Sequence, residues 1–217
     1  MRLQKHLTNL YFLLVILFCN IFTPLKGTTP YVSKVWVADQ RDRTFKNPII
    51  NADYSDPDVI RVGKDYYMIA SSFNCVPGIP ILHSKDMVNW QLVNHALKKL
   101  IPEDLFSTPQ HGKGVFAPCI RYHKGDFFIF WPDPDMGIYM TKTKDPLSEW
   151  SQSVLVKPGK GLIDPTPLWD DNGKVYLAHA WAKSRAGLNS VITVNEMNAE
   201  ANQIIGADVL VYDGLTK

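Results

Sequence analysis

The sequence predicts an all-β fold built from repeated four-strand units, the plan of a β-propeller. Two observations predict it. First, a short inner pattern occurs three times: a residue-Pro step, a brief apolar strand, a glycine turn and an aromatic strand. Second, an outer pattern occurs twice: a Gly-Ile strand, a Ser/Thr-Lys-Asp turn and a tryptophan. Together they describe about four short strands over roughly 45–60 residues, which is the size of a propeller blade. Helical periodicity is weak throughout, so no helical layer competes with this assignment.

The units follow one another in order. Asp56-Pro57 leads to Gly63 and then Tyr66-Tyr67-Met68-Ile69-Ala70. Ala117-Pro118-Cys119-Ile120 leads to Gly125 and then Phe127-Phe128-Ile129-Phe130. Asp164-Pro165 leads to Asn172-Gly173 and then Val175-Tyr176-Leu177-Ala178, and Asn-Gly between apolar runs is a strong hairpin signal. Gly78-Ile79 with Ser84-Lys85-Asp86 and Trp90 forms the outer half of unit one. Gly137-Ile138 with Thr143-Lys144-Asp145 and Trp150 forms that of unit two. In unit three, Val191-Ile192-Thr193-Val194 reads as a strand followed by polar turn material, and residues 208–213 as the last outer strand.

Residues 1–27 have the layout of a secretory signal peptide: a basic start at Arg2, Lys5 and His6, an apolar run from Leu10 to Phe22, then small or turn-forming residues. The run is short for a membrane span, which needs about 20 apolar residues. The expected location is therefore secreted or periplasmic, with no membrane attachment after cleavage. Residues 28–46 form an N-terminal segment and residues 47–217 an incomplete propeller domain. About three blades are present where a ring usually closes with four or more. The chain is expected to be the front part of a longer protein.

Without residues 1–27 there remain 20 basic and 21 acidic residues, a net charge of −1. A near-neutral chain with no basic stripe excludes nucleic acid as the expected partner. Cys75 and Cys119 are expected to be free, buried thiols. No zinc spacing and no His-Glu-x-x-His occurs.

The chemistry-bearing residues are the two Asp-Pro steps, in Tyr54-Ser55-Asp56-Pro57-Asp58 and Gly161-Leu162-Ile163-Asp164-Pro165. Proline fixes its own φ and pushes the residue before it toward an extended backbone, so each aspartate is expected on a rigid mount at a strand start. Two carboxylates aimed at one place are the working parts of glycoside hydrolysis. Asp53 and Asp58 compete with Asp56, and Asp58 would share its strand face; the residues alone leave that choice open. Asp133-Pro134-Asp135 is expected in a surface loop, Asp170-Asp171-Asn172-Gly173 in a hairpin turn. Phe73, Phe116 and Trp181 fall near inner-strand mouths, where an aromatic face fills a core or stacks on a sugar ring. His83, His123 and His179 are expected to be structural.

Asn47-Pro48, then Asp53-Tyr54-Ser55-Asp56-Pro57-Asp58-Val59, resembles the opening of glycoside hydrolase family 43. So do the segments from Leu82 to Trp90, from Phe116 to His123, and Leu162-Ile163-Asp164-Pro165. His179-Ala180-Trp181-Ala182-Lys183-Ser184-Arg185-Ala186-Gly187 is similar to the branch holding β-xylosidases and α-L-arabinofuranosidases. The resemblance implies a five-bladed β-propeller with an axial pocket and an inverting mechanism. It assigns Asp56 as general base, and Asp164 as the carboxylate that orients the catalytic acid and raises its pKa. It implies aromatic substrate-binding residues near Phe73 and, usually as Trp, where Phe116 stands, with Trp181 a third substrate-binding candidate from its place at a strand mouth, and it implies xylan, arabinoxylan or arabinan as substrate. It requires no cofactor and leaves room for a central metal ion such as calcium, whose ligands are not in this chain. The general acid of the resemblance stands in a Glu-Gly-Pro context that is absent here. Two other readings follow from the departures. One is a glycan-binding propeller without catalysis. The other is a retaining sucrose- or fructan-cleaving propeller, against which stand Ser55 and Asp58 flanking the motif in place of asparagines.

Overall fold

The computed structural model describes residues 35–214 and Thr216. The leader assigned to residues 1–27 lies outside the described residues. Among the described residues, twelve strands form three antiparallel sheets of four, each a simple meander. Blade one comprises β1 (Asp58–Val62), β2 (Asp65–Ile69), β3 (Gly78–Ser84) and β4 (Gln91–Leu97). A single helical turn, α1 (Glu103–Phe106), follows it. Blade two comprises β5 (Cys119–His123), β6 (Asp126–Asp133), β7 (Gly137–Thr143) and β8 (Val154–Pro158). Blade three comprises β9 (Leu162–Trp169), β10 (Val175–Trp181), β11 (Val191–Met197) and β12 (Val209–Asp213), with the one-turn helix α2 (Lys183–Ala186) after β10. The inner strands lie side by side, β1 against β5 and β5 against β9.

Turn chemistry explains the inner hairpins. Gly63-Lys64 connects β1 to β2 with φ of 63° at Gly63, and Val62 pairs with Asp65. Lys124-Gly125 connects β5 to β6 with φ of 48° and 92°. Positive φ at the central residues matches the twist of the strands they join. The expected Asn172-Gly173 hairpin forms, but as a longer turn over residues 170–174, closed by the Asp170 amide donating to the Lys174 carbonyl at 2.9 Å. The outer Ser/Thr-Lys-Asp turns are side-chain caps. Asp86 Oδ1 accepts from the Val88 and Asn89 amides at 2.9 and 2.7 Å, and Asp145 Oδ1 accepts from the Leu147 amide at 3.0 Å. β11 runs on through Met197, where polar turn material was expected, because Asn195 and Met197 point inward and are buried.

Blade two explains the aromatic run. Alternate residues of a strand face opposite ways. Phe127, Ile129 and Trp131 pack toward blade one with Ile69, Ile81 and Ile120. Phe128 and Phe130 pack toward blade three with Leu162, Leu177 and Met197. A strand buried on both faces reads as a continuous apolar run. Polar ties reinforce the contacts: Asn94 Nδ2 donates to the Pro146 and Ser148 carbonyls at 2.9 and 2.8 Å, and Lys157 of β8 pairs with Asp208 at 2.5 Å.

Two expectations are corrected. Cys75 is exposed, because it sits in the irregular loop before β3; only Cys119 is buried, its thiol pushed up to about 12 by burial. Asp133 does not lie in a surface loop. It ends β6 and is 1% exposed, because it continues a strand that is buried from Phe127 onward; burial raises its pKa, and Oδ2 has no hydrogen-bond partner. No helix among the described residues is long and apolar enough to cross a membrane.

Candidate active site

All three residue-Pro steps that open the inner pattern have left-handed backbones: φ is 50° at Asp56, 25° at Ala117 and 53° at Asp164. The extended conformation expected before proline is not adopted. A non-glycine residue held at positive φ is strained and persists where its surroundings over-determine it. The mounts also differ. Asp56 precedes β1, so strict alternation does not put it on the face of Asp58. Asp164 lies inside β9, in a register shift opposite His179 where two residues face one. Such bulges re-aim side chains.

The Asp164 carboxyl feels the charge of Asp56. Desolvation by surrounding protein raises the pKa of Asp164, and the charge of Asp56 raises it further. Asp164 remains accessible to solvent, as does Asp56. Asp56 Oδ2 accepts a hydrogen bond from Ser71 Oγ at 2.7 Å, and the same oxygen of Ser71 accepts from the Ala117 amide at 2.7 Å. Ser71 thus ties the carboxylate mount of blade one to the equivalent mount of blade two. Its own amide donates to the Ser55 carbonyl at 3.0 Å. The sequence reading missed Ser71. The signal was present: counting back from the Gly63-Lys64 turn, the register that pairs Asp58 with Ile69 brings position 56 opposite position 71.

Asp58 has another task. Its Oδ2 accepts from the Ile120 amide at 2.8 Å and from Arg121 Nη1 at 2.5 Å, which couples β1 to β5. A carboxylate so engaged is a structural clamp. Asp53 is exposed, outside any strand.

Phe73 and Phe116 meet edge to face, ring centroids 5.1 Å apart at 88°. Phe73 is held by paired amide–carbonyl bonds with Val115, at 2.9 and 3.0 Å, and has φ of 48°. Gly114 permits that approach, since a Cβ there would lie 2.1 Å from the Phe73 carbonyl oxygen. Both rings are half-buried. Trp181 pairs with Leu162 at the end of β9 nearest Asp164, donates its indole N–H to Thr193 Oγ1 at 2.9 Å and packs on the core between blades two and three. Its ring also meets His179 edge to face, with centroids 5.2 Å apart. The three histidines also have structural contacts: His83 bonds to Asp65 at 2.5 Å, His123 stacks on Trp169, and buried His179 has its pKa lowered by desolvation.

The glutamates are engaged elsewhere. Glu103 pairs with Lys99 at 2.9 Å, Glu196 with Lys174 at 3.0 Å, and Glu149 with Lys98. Glu200 is exposed in a turn. Among the described residues no group of His, Cys, Asp or Glu is arranged to hold a metal ion. The geometry therefore offers two interacting carboxylates at inner-strand mouths, one with raised proton affinity and one fixed by a serine.

The family model described as glycosyl hydrolases family 43 matches residues 45–217. A β-xylosidase of Formosa agariphila is 34% identical over 217 aligned positions, covering 93% of this chain and 37% of that protein. A non-reducing end alpha-L-arabinofuranosidase of Bacteroides ovatus is 36% identical over 148 positions, covering 65% of this chain and 27% of its own length. Among solved structures, a xylan beta-1,4-xylosidase from Bacillus halodurans superposes with a TM-score of 0.66 at 27% identity, covering 77% of this chain and 34% of that one. The chain spans about a third of the length of the relatives it matches. Three propeller blades, the spacing of the Asp-Pro motifs and these similarities place the chain in glycosyl hydrolases family 43.

Proposed function

We propose that this chain supplies the first blades and two of the three carboxylates of an inverting exo-glycosidase that removes xylosyl or arabinofuranosyl units from xylan, arabinoxylan or arabinan. In this reading Asp56 is the general base. It takes a proton from a water as that water attacks the anomeric carbon. Asp164 stays beside it as the charge that keeps the catalytic acid protonated and oriented. The acid itself comes from outside these 217 residues. Base and acid in an inverting site stand about 6.5–9.5 Å apart, leaving room for the water. Phe73 and Phe116 form an aromatic wall for the sugar ring. The protein is secreted or periplasmic, residues 1–27 being a cleaved leader, and neither a cofactor nor a membrane is part of the reaction.

The observation that supports this reading best is that both aspartates stand before proline at positive φ, with desolvation and then the charge of Asp56 raising the pKa of Asp164. The test is a form extended by a family segment carrying Glu-Gly-Pro. It should cleave aryl β-xyloside or aryl α-L-arabinofuranoside, and proton NMR of the first-formed sugar should show inversion. Retention would overturn the mechanism. Sugar binding without any cleavage by the extended form would favour a non-catalytic propeller.

A further inference from the structure

Helix α2 carries a side chain that no step of this reaction uses. Arg185 Nη2 donates to the Gly112 carbonyl at 2.7 Å. Its Nε lies 3.6 Å from Asp135 Oδ1, and its guanidinium carbon is 5.9 Å from the centre of the Phe116 ring. Gly112 belongs to the loop between α1 and β5, and Asp135 to the turn between β6 and β7. One planar cation from blade three thus holds two connections of other blades and lies against an aromatic ring of the site. A guanidinium suits this role because its donors lie in the plane while its faces remain free for a ring.

The surroundings make α2 a firm base. The Gly161 amide donates to the Pro134 carbonyl at 2.6 Å, and the Ala182 amide donates to the Gly161 carbonyl at 2.8 Å. A Cβ on Gly161 would lie 2.5 Å from the Ala186 Cβ. The segment leading to Asp164 is therefore wedged between α2 and the 133–135 turn. The loop that Arg185 holds is packed at Gly114, where a Cβ would lie 2.1 Å from the Phe73 carbonyl oxygen, and open at Gly112. Gly112 and Gly114 both have positive φ, and nothing lies within 4 Å of a Cβ placed on Gly112.

We propose that Arg185 is a positioning residue of the substrate pocket. It latches residues 111–116 to blade three, and so fixes the Phe116 ring at the angle at which it and Phe73 wall a pentosyl unit. The latch is a property of the fold, whereas its consequence for a sugar rests on the glycosidase reading of the pocket.

Lys113 sits between the two glycines, so trypsin reports whether the loop is held. The test compares the 217-residue chain with Arg185→Met, which keeps much of the aliphatic stem and loses the polar ties, and with Arg185→Lys, which keeps charge but not the planar fork. Cleavage after Lys113 should be about tenfold faster in Arg185→Met and intermediate in Arg185→Lys, since cleavage follows the population of the open loop. Xylobiose affinity by calorimetry should fall about fivefold in Arg185→Met. Circular dichroism checks that each variant is folded; if Arg185→Met does not fold, Arg185→Lys decides. Equal cleavage in parent and folded variants overturns the latch. Faster cleavage with unchanged xylobiose affinity overturns the positioning role. Faster cleavage where not even the parent binds xylobiose leaves the latch standing and overturns the claim that these three blades by themselves carry a pentosyl subsite.

Discussion

Asp56 and Asp164 share a left-handed backbone before proline, with φ of 50° and 53°, and the charge of the first raises the proton affinity of the second. The two aspartates arrive by different routes, one ahead of β1 and the other in a bulge of β9. The repeat therefore extends from sequence to backbone conformation, and from there to electrostatics.

Asp164→Asn should stabilise the fold at neutral pH. The folded chain binds a proton at Asp164 more tightly than the unfolded chain does, through desolvation and then the charge of Asp56. Between the ordinary aspartate pKa and the raised folded value, the folded state carries more protons, so stability falls as pH rises through that window. The asparagine removes this loss and should flatten the slope. Urea denaturation from acid to neutral pH checks it; the variant's advantage should vanish once the parent is protonated in both states.

Ser71→Ala should cost about 1–2 kcal/mol, because it removes the hydrogen bond to Asp56 and the acceptor of the Ala117 amide together. Ser71→Thr keeps the hydroxyl and should cost less. Chemical denaturation of the two variants, side by side, measures the difference. Equal losses would mean that the hydroxyl bridge contributes nothing.

Gly114→Ala should cost about 2–3 kcal/mol. The new Cβ would meet the Phe73 carbonyl oxygen at 2.1 Å, on a backbone with φ of 91°. Thermal denaturation reads the loss. Gly63→Ala should be milder, since its φ is also positive but nothing lies within 4 Å of its Cβ.

In the proposed reaction, the 217-residue chain should hydrolyse aryl β-xyloside or α-L-arabinofuranoside very poorly. Proton transfer from a positioned acid contributes typically about 10²–10⁴-fold, and no glutamate here occupies that role. Asp56→Asn in an extended, active form should abolish turnover, because an amide does not accept the proton from water. Initial rates of aryl-glycoside release measure both. Substantial hydrolysis by the purified 217-residue chain would place the acid among residues already present.

The three inner patterns, the two outer turns and the order of the strands are legible in the sequence. They are local: glycine turns, alternation and aromatic runs act within a few residues, and residues 127–131 reveal by continuous apolarity that blade two is buried on both sides. The family and the pair Asp56 and Asp164 follow from the same short motifs. Tertiary structure alone decided the rest, because it depends on contacts between blades. It turned Asp58 into a clamp on β5, buried Asp133 at the end of β6, left Cys75 exposed and brought Arg185 to Gly112. It also set the sign of φ at both aspartates, against the local preference before proline. Local preference yields wherever the packing of neighbouring strands outweighs the strain of a single residue.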